Sequence, residues 1–174
     1  NKVDYLFCGG GASATLLLMK MEKSGIINNK KIVVIDPDDK SKNDKTYCFW
    51  SKEDEEPASN CKHLISHKWN KVSINRSAPE SLNAEAYCHI SGLAVYDELR
   101  RIANRLSIEI ILGKAEKIEK TKEGVIVYTS ENAWLADYVF DSRPPLYKPL
   151  SEEDVHLTQS FLGYVIELTG NTCN

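Results

Sequence analysis

The sequence predicts an α/β fold, and three features near its start carry this prediction. A short apolar segment at residues 3–8 leads directly into three consecutive glycines. Residues 12–23 have the composition of a helix, and a second apolar segment, rich in β-branched side chains, follows at 31–35. Strand, glycine turn, helix and strand in this order form a βαβ unit.

The chain has 174 residues, which corresponds to one domain or at most two. Its composition, 42% hydrophobic and 27% charged, is that of an ordinary globular protein. A chain of this length buries roughly 70% of the surface that its unfolded form exposes, so it needs no disulfide or metal to fold. Collagen-like, disordered and disulfide-scaffold classes are therefore excluded.

The remaining elements follow in order along the chain. Gly25 is placed to stop the first helix. Residues 38–86 are polar and irregular, with a short strand predicted at 71–74, and a further strand is predicted at 87–90. Residues 92–106 carry apolar side chains at steps of three and four, which predicts a helix.

A strand-rich stretch follows this helix. Strands are predicted at 108–112, at 115–120 and 125–129 around a Glu-Gly hairpin signal, at 133–135 and at 138–140. Prolines at 144, 145 and 149 then mark the end of this stretch. In residues 158–168 the side chains alternate between two faces, which predicts a strand of another sheet. We therefore expect an FAD- or NAD(P)-binding Rossmann-like domain at 1–150, with a partly irregular insertion at 38–90, and the first strand of a substrate domain at 151–174.

Composition excludes several classes of function. The net charge is −3 and Lys and Arg form no large basic block, so nucleic-acid binding is not expected. Five cysteines without a CxxC pair indicate a reducing, cytoplasmic location. Cys61, His63 and His67 lack a fourth ligand at a familiar spacing, so no metal site is predicted. The sequence shows no signal peptide and no spanning segment, and it leaves a peripheral membrane contact open.

The motif that carries chemistry is Gly9-x-Gly11-x-x-Ala14 between a strand and a helix. Its first glycine permits a tight turn, its second lets the backbone approach a diphosphate, and its third position needs a small residue for helix–strand packing. The diphosphate would lie on the free N–H groups at the start of the helix. The predicted cofactor-binding residues here are Gly9, Gly10, Gly11, Ala12, Ser13 and Ala14.

Asp36 ends the second strand, 25 residues after Gly11. Its carboxylate is placed to accept hydrogen bonds from the ribose hydroxyls of an adenosine. The fingerprint by itself does not distinguish FAD from NAD. The hairpin-rich region before the last apolar strand is unlike a plain NAD domain, and it favours FAD.

Residues 43–50, NDKTYCFW, resemble a segment that follows the second strand in the lycopene cyclase family of carotenoid biosynthesis. Four further segments resemble that family in the same order: DYLFCGGGASA, YCHISG, VFDSR and QSFLGYVIE. The sequence departs from the family at Tyr47, usually tryptophan, at Lys45, usually arginine, at Pro144, usually glycine, and at Ser13-Ala14, usually Ala-Gly. The resemblance spans the whole chain. Residues 43–50, which we call the octet, are its most specific part.

The resemblance implies a flavoprotein of the aromatic-hydroxylase fold type. Such an enzyme uses FAD, reduced by NADPH, to cyclise the linear ends of lycopene to β-ionone rings without net redox change. It also implies cofactor contacts at Lys45 and Ser142 and a carotenoid polyene as substrate. The candidates for catalysis are Glu167 in the last predicted strand, with a surface acid at the strand end as the alternative, and Trp50 in the octet.

Aromatic faces stabilise a carbocation, so Tyr47, Phe49 and Trp50 are candidates for a substrate wall, with packing in the core as the alternative. His89 is either a proton relay or a core histidine, and Arg143 meets either the diphosphate or Asp141.

The sequence leaves three hypotheses about function. The chain is the N-terminal part of a lycopene β-cyclase-like isomerase, another FAD-dependent oxidoreductase or monooxygenase on the same fold, or a non-catalytic dinucleotide-binding module. In the first case we expect it to lack the C-terminal half of the same protein and to be inactive alone.

Overall fold

A computed structural model of the protein describes residues 1–144, except Arg76 and Ala84. Residues Asn1–Arg143 form one compact unit. Its helices are α1 (Ala12–Lys23) and α2 (Gly92–Leu106). Its strands are β1 (Lys2–Cys8), β2 (Ile32–Asp36), β3 (Thr46–Lys52), β4 (His67–Trp69), β5 (Lys71–Val72), β6 (Glu80–Ser81), β7 (Glu85–Ser91), β8 (Glu109–Leu112), β9 (Lys117–Lys120), β10 (Val125–Tyr128) and β11 (Ala133–Asp141).

The main sheet has six strands in the order β8-β2-β1-β11-β10-β9. β8, β2, β1 and β11 are parallel, and β10 and β9 continue the sheet as an antiparallel meander. The order of the parallel strands is that of a dinucleotide-binding domain, in which the first strand lies at the centre. The predicted α/β class, with its βαβ unit and its meander, is therefore confirmed.

The main sheet is covered on both faces. One face packs against α1 and α2 through a cluster that includes Phe7, Leu18, Val34 and Ile102. The opposite face carries a second cluster, which includes Leu6, Val33, Val127 and Trp134. Burial on both faces explains why the central strands are continuous apolar runs instead of alternating ones.

The end of α1 confirms the predicted stop at Gly25. This glycine has φ +75°, and its N–H donates to the carbonyl of Glu22 at 3.0 Å. The N–H of Ile26 donates to the carbonyl of Met21 at 3.1 Å. These two bonds form a Schellman motif, in which a glycine adopts the left-handed conformation at low cost.

β11 is one continuous strand, so the prediction of two short strands at 133–135 and 138–140 was wrong. Its first half pairs antiparallel with β10, and its second half pairs parallel with β1. The polar Asp137, which lies between the two predicted strands, is exposed on β11 and lies 3.5 Å from the Lys2 ammonium. Because a strand is held by its backbone, an exposed polar residue does not interrupt it.

The insertion is more regular than the sequence predicts. β3, β7 and β4 form an antiparallel sheet, which we call the small sheet, and β5 pairs with β6 in a separate hairpin. β3 was not predicted, because its partner β7 lies more than 30 residues away and its flanks are polar. The short strand predicted at 71–74 forms only at Lys71–Val72.

The domain boundary predicted at residue 150 and the strand predicted at 158–168 lie outside the described residues. Both stay predictions. No helix in the described ranges is long and apolar enough to cross a membrane.

Candidate functional site

The glycine turn joins the end of β1 to the start of α1 at the carboxyl edge of the parallel strands. Gly9 has φ +108°, in the region that favours glycine, and its N–H donates to the carbonyl of Ile35 at 2.8 Å. A Cβ added at Gly9 would lie 2.4 Å from Ser142 Oγ, and one added at Gly10 would lie 3.0 Å from Leu99 Cδ2. Gly9 is therefore required by the turn, whereas a side chain at Gly10 would need the Leu99 side chain to shift by a few tenths of an ångström.

Gly11 meets a different requirement. It is the N-cap of α1, with φ −87° and ψ −166°, and no side-chain hydrogen bond caps this end of the helix. Apart from its own neighbours in the chain, no atom of the described residues lies within 4 Å of a Cβ added there. The first helical bond runs from the Thr15 N–H to the Gly11 carbonyl at 3.0 Å, so the N–H groups before Thr15 point out of the helix. This is the arrangement that binds a diphosphate.

Ala14 is the third position of the motif, and it is buried in the cluster between α1 and the sheet with Phe7 and Leu18. A small residue there lets the helix lie close to the strands, as the motif requires. Ala12 and Ser13 complete the first turn of α1, beside the open space at Gly11.

Asp36 ends β2 and is 6% exposed. Its Oδ2 accepts the Gly10 N–H at 2.6 Å. Its Oδ1 accepts the Asp38 N–H at 2.9 Å and lies 3.1 Å from the Lys40 ammonium. A carboxylate has about four acceptor positions. Three neighbouring groups occupy the carboxylate in the structure, so one acceptor position on Oδ2 is open. The predicted contact with the ribose hydroxyls stays a prediction.

Two cavities flank the glycine turn. A cavity of about 280 Å³ lies beside Gly10 and Asp36, and Tyr96 and Ile110 are also in its lining. A second cavity, of about 340 Å³, lies beside Ser13 and Ser142 at the end of β11. An elongated ligand that crosses the start of α1 would have space on both sides of the turn.

Ser142 lies directly against the glycine turn. Its hydroxyl and its backbone N–H both donate to the Cys8 carbonyl, each at 3.0 Å. Because the hydroxyl proton is engaged, Ser142 would accept a hydrogen bond from a cofactor and not donate one. Its predicted cofactor contact stays a prediction.

Arg143 pairs with Asp141, which was one of the two alternatives for it. Its Nε donates to Oδ1 and its Nη2 to Oδ2, each at 2.8 Å. Its Nη1 also contacts the Ala115 carbonyl. The guanidinium lowers the pKa of the Asp141 carboxyl, chiefly through these hydrogen bonds. Arg143 therefore links the end of β11 to the segment before β9.

Hydrogen bonds connect the octet to the start of α2. Asn43 Oδ1 accepts the Leu93 N–H at 3.1 Å, and Asp44 Oδ1 accepts the Tyr96 hydroxyl at 2.8 Å. The Lys45 carbonyl accepts the Gly92 N–H at 2.7 Å, while the Lys45 ammonium is exposed and lies 4.0 Å from Asp44 Oδ2. The backbone of Lys45 therefore has a structural role, and its predicted cofactor contact stays a prediction.

The three aromatic residues of the octet do not form one wall. Tyr47 and Phe49 pack on the cluster beneath the small sheet with Ile90 and Val95. Trp50 is 51% exposed and belongs to the opposite face of β3. Alternation along a strand separates neighbours onto opposite faces, so the prediction of a wall that joins all three was wrong.

Trp50 has other aromatic partners, and we call the side of the small sheet that carries them its outer face. The rings of Trp50 and Tyr87 are 4.6 Å apart, and those of Tyr87 and Trp69 are 6.1 Å apart. His89 lies beside them and its Nδ1 is 2.6 Å from Ser66 Oγ. His89 is therefore half-buried on this face and not inside the core.

The remaining candidates from the sequence are Glu167 and the group of Cys61, His63 and His67. Glu167 lies outside the described residues. In the described part of the chain, no three side chains of His, Cys, Asp or Glu come together to hold a metal ion. Cys61 is buried and contacts the Pro57 carbonyl, His63 faces Glu98 at 3.5 Å, and His67 lies on the outer face.

The cavity beside Asp36 also contains residues that the sequence analysis did not single out, Lys40 and Arg100. Arg100 Nη1 donates to the Lys40 carbonyl at 3.0 Å across 60 residues of sequence. The only local signal was the position of Lys40 four residues after the strand-ending Asp36.

Comparison with solved structures shows the fold. The chain is similar to p-nitrophenol 4-monooxygenase PnpA from Pseudomonas putida DLL-E4, with a TM-score of 0.59 and 11% identity over 81% of this chain and 41% of that one. It is similar to the anhydrotetracycline hydroxylase OxyS from Streptomyces rimosus, with a TM-score of 0.58 and 11% identity over 81% of this chain and 31% of that one. The Diels-Alderase PyrE3 of the pyrroindomycin pathway gives a TM-score of 0.57 and 12% identity over 80% of this chain and 32% of that one.

The chain thus spans about a third to two-fifths of the length of these proteins. No protein-family model and no curated protein sequence matches it. At these identities the likeness establishes an α/β fold of this type and nothing about substrate.

Proposed function

We propose that this chain is the FAD-binding part of a flavin-dependent enzyme. The observation that carries the proposal is the uncapped start of α1 at Gly11, with open space in front of it and the buried Asp36 at the end of the neighbouring strand. Backbone N–H groups and the helix dipole suit a diphosphate, and a carboxylate suits a ribose hydroxyl. The two cavities on either side suit the two ends of a long dinucleotide.

The solved structures of similar fold favour the oxidoreductase class. Two of them are named as a monooxygenase and a hydroxylase, and both reactions are oxidations. An FAD-dependent oxidoreductase or monooxygenase is therefore the first candidate for the whole enzyme. The likeness gives no information about which molecule it would oxidise.

FAD titration of the folded chain, followed by quenching of flavin fluorescence, tests the cofactor. Gly11→Val would place a side chain over the first N–H groups of α1, and we expect it to weaken FAD binding at least about tenfold, the equivalent of one lost charge-assisted hydrogen bond. Gly113→Val is the matched control, because a Cβ at Gly113 meets only Ile111, at 3.9 Å, among the described residues. Equal affinity in wild type and the Gly11 variant would refute the proposed diphosphate site.

Lycopene cyclisation is a second candidate, and the octet is the observation that favours it. Its Asn43, Asp44 and Lys45 are each bonded to the start of α2, so the segment that resembles the cyclase family has a defined place in the fold. One protein of similar fold is named as a Diels-Alderase, an enzyme that forms a ring. This likeness supports the view that the fold serves ring formation as well as oxidation.

Pigment analysis distinguishes the two candidates. Cells that accumulate lycopene would express this chain, alone and within any longer reading frame that contains it. Conversion of lycopene to products with β-ionone rings supports the isomerase, which needs FAD reduced by NADPH. Unchanged lycopene together with NADPH-dependent oxygen uptake supports a monooxygenase. Bound FAD without either activity indicates a dinucleotide-binding module.

A carotenoid substrate, a peripheral membrane contact and a completing C-terminal half belong to the cyclase proposal. Each would be tested by the same expression experiment, with fractionation of the protein between membranes and supernatant.

A further inference from the structure

Two histidines lie side by side on the outer face of the small sheet. His67 of β4 and His89 of β7 are direct partners in the register of these antiparallel strands, and the centres of their rings are 6.1 Å apart. The Cβ atoms of directly opposed residues lie about 4.5–5.5 Å apart, so both rings project from one face at the same level. The two residues are far apart in the sequence, so only the pairing of the strands brings them together.

Ser66 fixes the tautomer of His89. Ser66 Oγ lies 2.6 Å from His89 Nδ1 and donates to the His89 carbonyl at 3.2 Å. A carbonyl can only accept and a hydroxyl has a single proton, so both hydrogen bonds form only when Nδ1–H donates to the hydroxyl. Neutral His89 then carries its proton on Nδ1, and its Nε2 presents a lone pair. Histidines that bind a metal are commonly held in this way, with the second ring nitrogen bonded to a neighbour.

The separation of the two rings suits an ion between them. A Zn–N bond is about 2.0–2.1 Å long, and an imidazole nitrogen lies about 1.1 Å from the centre of its ring, so two ligating rings have centres at most about 6.4 Å apart. The observed 6.1 Å lies within this limit. A tetrahedral angle at the metal needs centres about 5.2 Å apart, which requires a movement of about 1 Å. His67 is exposed, so its ring is free to make this movement.

We propose that His67 and His89 bind a divalent transition-metal ion that prefers imidazole, such as Zn²⁺ or Ni²⁺. Water would complete the coordination, since no three candidate ligands come together among the described residues. The ion would cross-link β4, a strand of only three residues, to β7. The proposal does not depend on the FAD site, because neither histidine belongs to the glycine turn.

Titration of the folded chain with Ni²⁺ tests the pair. The protein is prepared without a polyhistidine tag, and Ni²⁺ is the probe because it does not oxidise the exposed Cys48 thiol. The Trp69 ring lies 5.7 Å from the His67 ring and 6.3 Å from the His89 ring. Bound Ni²⁺ should therefore quench the fluorescence of Trp69 in a saturable way, and added Zn²⁺ should reverse the quenching by competition.

Variants separate the ligands from the residue that positions one of them. We expect Ser66→Ala to weaken Ni²⁺ binding about tenfold, as is usual when a ligand loses its hydrogen-bond partner, and His67→Ala or His89→Ala to weaken it further. Ser66→Thr keeps the hydroxyl and should retain the wild-type affinity. His63→Ala is the matched control, because His63 is an exposed histidine outside the small sheet.

Urea denaturation provides a second measurement that involves no fluorescence quenching. Zn²⁺ should raise the urea midpoint of wild type and leave that of His67→Ala unchanged, because an ion that binds only the folded state stabilises it. The proposal would be overturned if folded His67→Ala and His89→Ala, checked by circular dichroism, bound Ni²⁺ like wild type. It would equally be overturned if His63→Ala weakened binding as much as they did, if wild type showed no saturable quenching, or if Zn²⁺ left the wild-type midpoint unchanged.

Discussion

Gly9 and Gly11 show how two residues of one motif have separate physical roles. Gly9 is needed by the fold, because its φ is +108° and its neighbour Ser142 leaves no room for a Cβ. Gly11 has an ordinary φ and faces open space, so the fold does not require a glycine there, and the proposed diphosphate site does.

Gly9→Ala should therefore destabilise the protein even without cofactor. We expect the free energy of unfolding to fall by about 1–3 kcal/mol, the cost of forcing a Cβ into a disfavoured backbone region. Urea denaturation followed by circular dichroism measures this change. Adding Ser142→Gly to the variant should remove the steric part and leave the backbone part. A variant as stable as wild type would contradict this account of the turn.

The cysteines differ in reactivity because they differ in burial. Burial, followed by the negative charge of Asp141, raises the pKa of the Cys8 thiol to about 11. Burial also raises the pKa of Cys61, whereas Cys48 is exposed on the small sheet. Since the thiolate is the reactive form, iodoacetamide at pH 8 should label Cys48 in native protein, and Cys8 and Cys61 only after denaturation. Peptide mass spectrometry identifies which cysteines are labelled. Rapid labelling of Cys8 in native protein would contradict the buried position of β1.

At the scale of elements, the two helices begin differently. α2 is capped by Ser91, whose hydroxyl accepts the Ala94 N–H at 3.2 Å. α1 begins at Gly11 without a side-chain cap. A helix that begins without a side-chain cap leaves its first N–H groups free, whereas the N-cap of α2 satisfies one of them internally.

Ser91→Ala tests the structural cap. We expect a loss of about 1 kcal/mol of unfolding free energy, the usual cost of removing a serine N-cap, with little change in FAD affinity. Ser59→Ala is the control, because Ser59 is exposed and bonds to Glu55 through its backbone. Urea denaturation of both variants provides the comparison. A Ser91 variant with the stability of the Ser59 variant would show that this cap does not contribute.

On the scale of the whole molecule, paired carboxylates make the stability of the fold depend on pH. Asp141 is paired with Arg143 at the end of the main sheet, and Glu98, 4% exposed, is paired with Arg101 on α2 near His63. Hydrogen bonds from the two arginines hold the pKa of each carboxyl below its usual value. Both groups therefore bind protons more readily in the unfolded chain.

This difference predicts that acid weakens the fold. The contribution of these carboxylates is present above the unfolded pKa of about 4 and is lost as the pH falls through the lower folded value. Urea denaturation at pH 7, 5, 4 and 3 should show a declining free energy of unfolding below pH 5. Glu98→Gln should flatten this decline because it removes one of the linked groups. A free energy of unfolding that does not change between pH 5 and 3 would contradict the pairing.

The sequence by itself determined the elements whose signals are local. The bounds of both helices, the glycine turn and the strand that ends at Asp36 follow from apolar periodicity and from glycine chemistry, which act within a few residues. The candidate diphosphate site follows from the same local pattern, because a helix start supplies its own N–H groups.

The tertiary structure decided what depends on distant partners. It joined the two halves of β11, because pairing with β1 and β10 overrides a single polar residue. It separated Trp50 from Tyr47 and Phe49, since the register of the small sheet sets which face each occupies. It also brought Arg100 beside Lys40, a juxtaposition across 60 residues that no local pattern encodes, because only chain folding sets such distances.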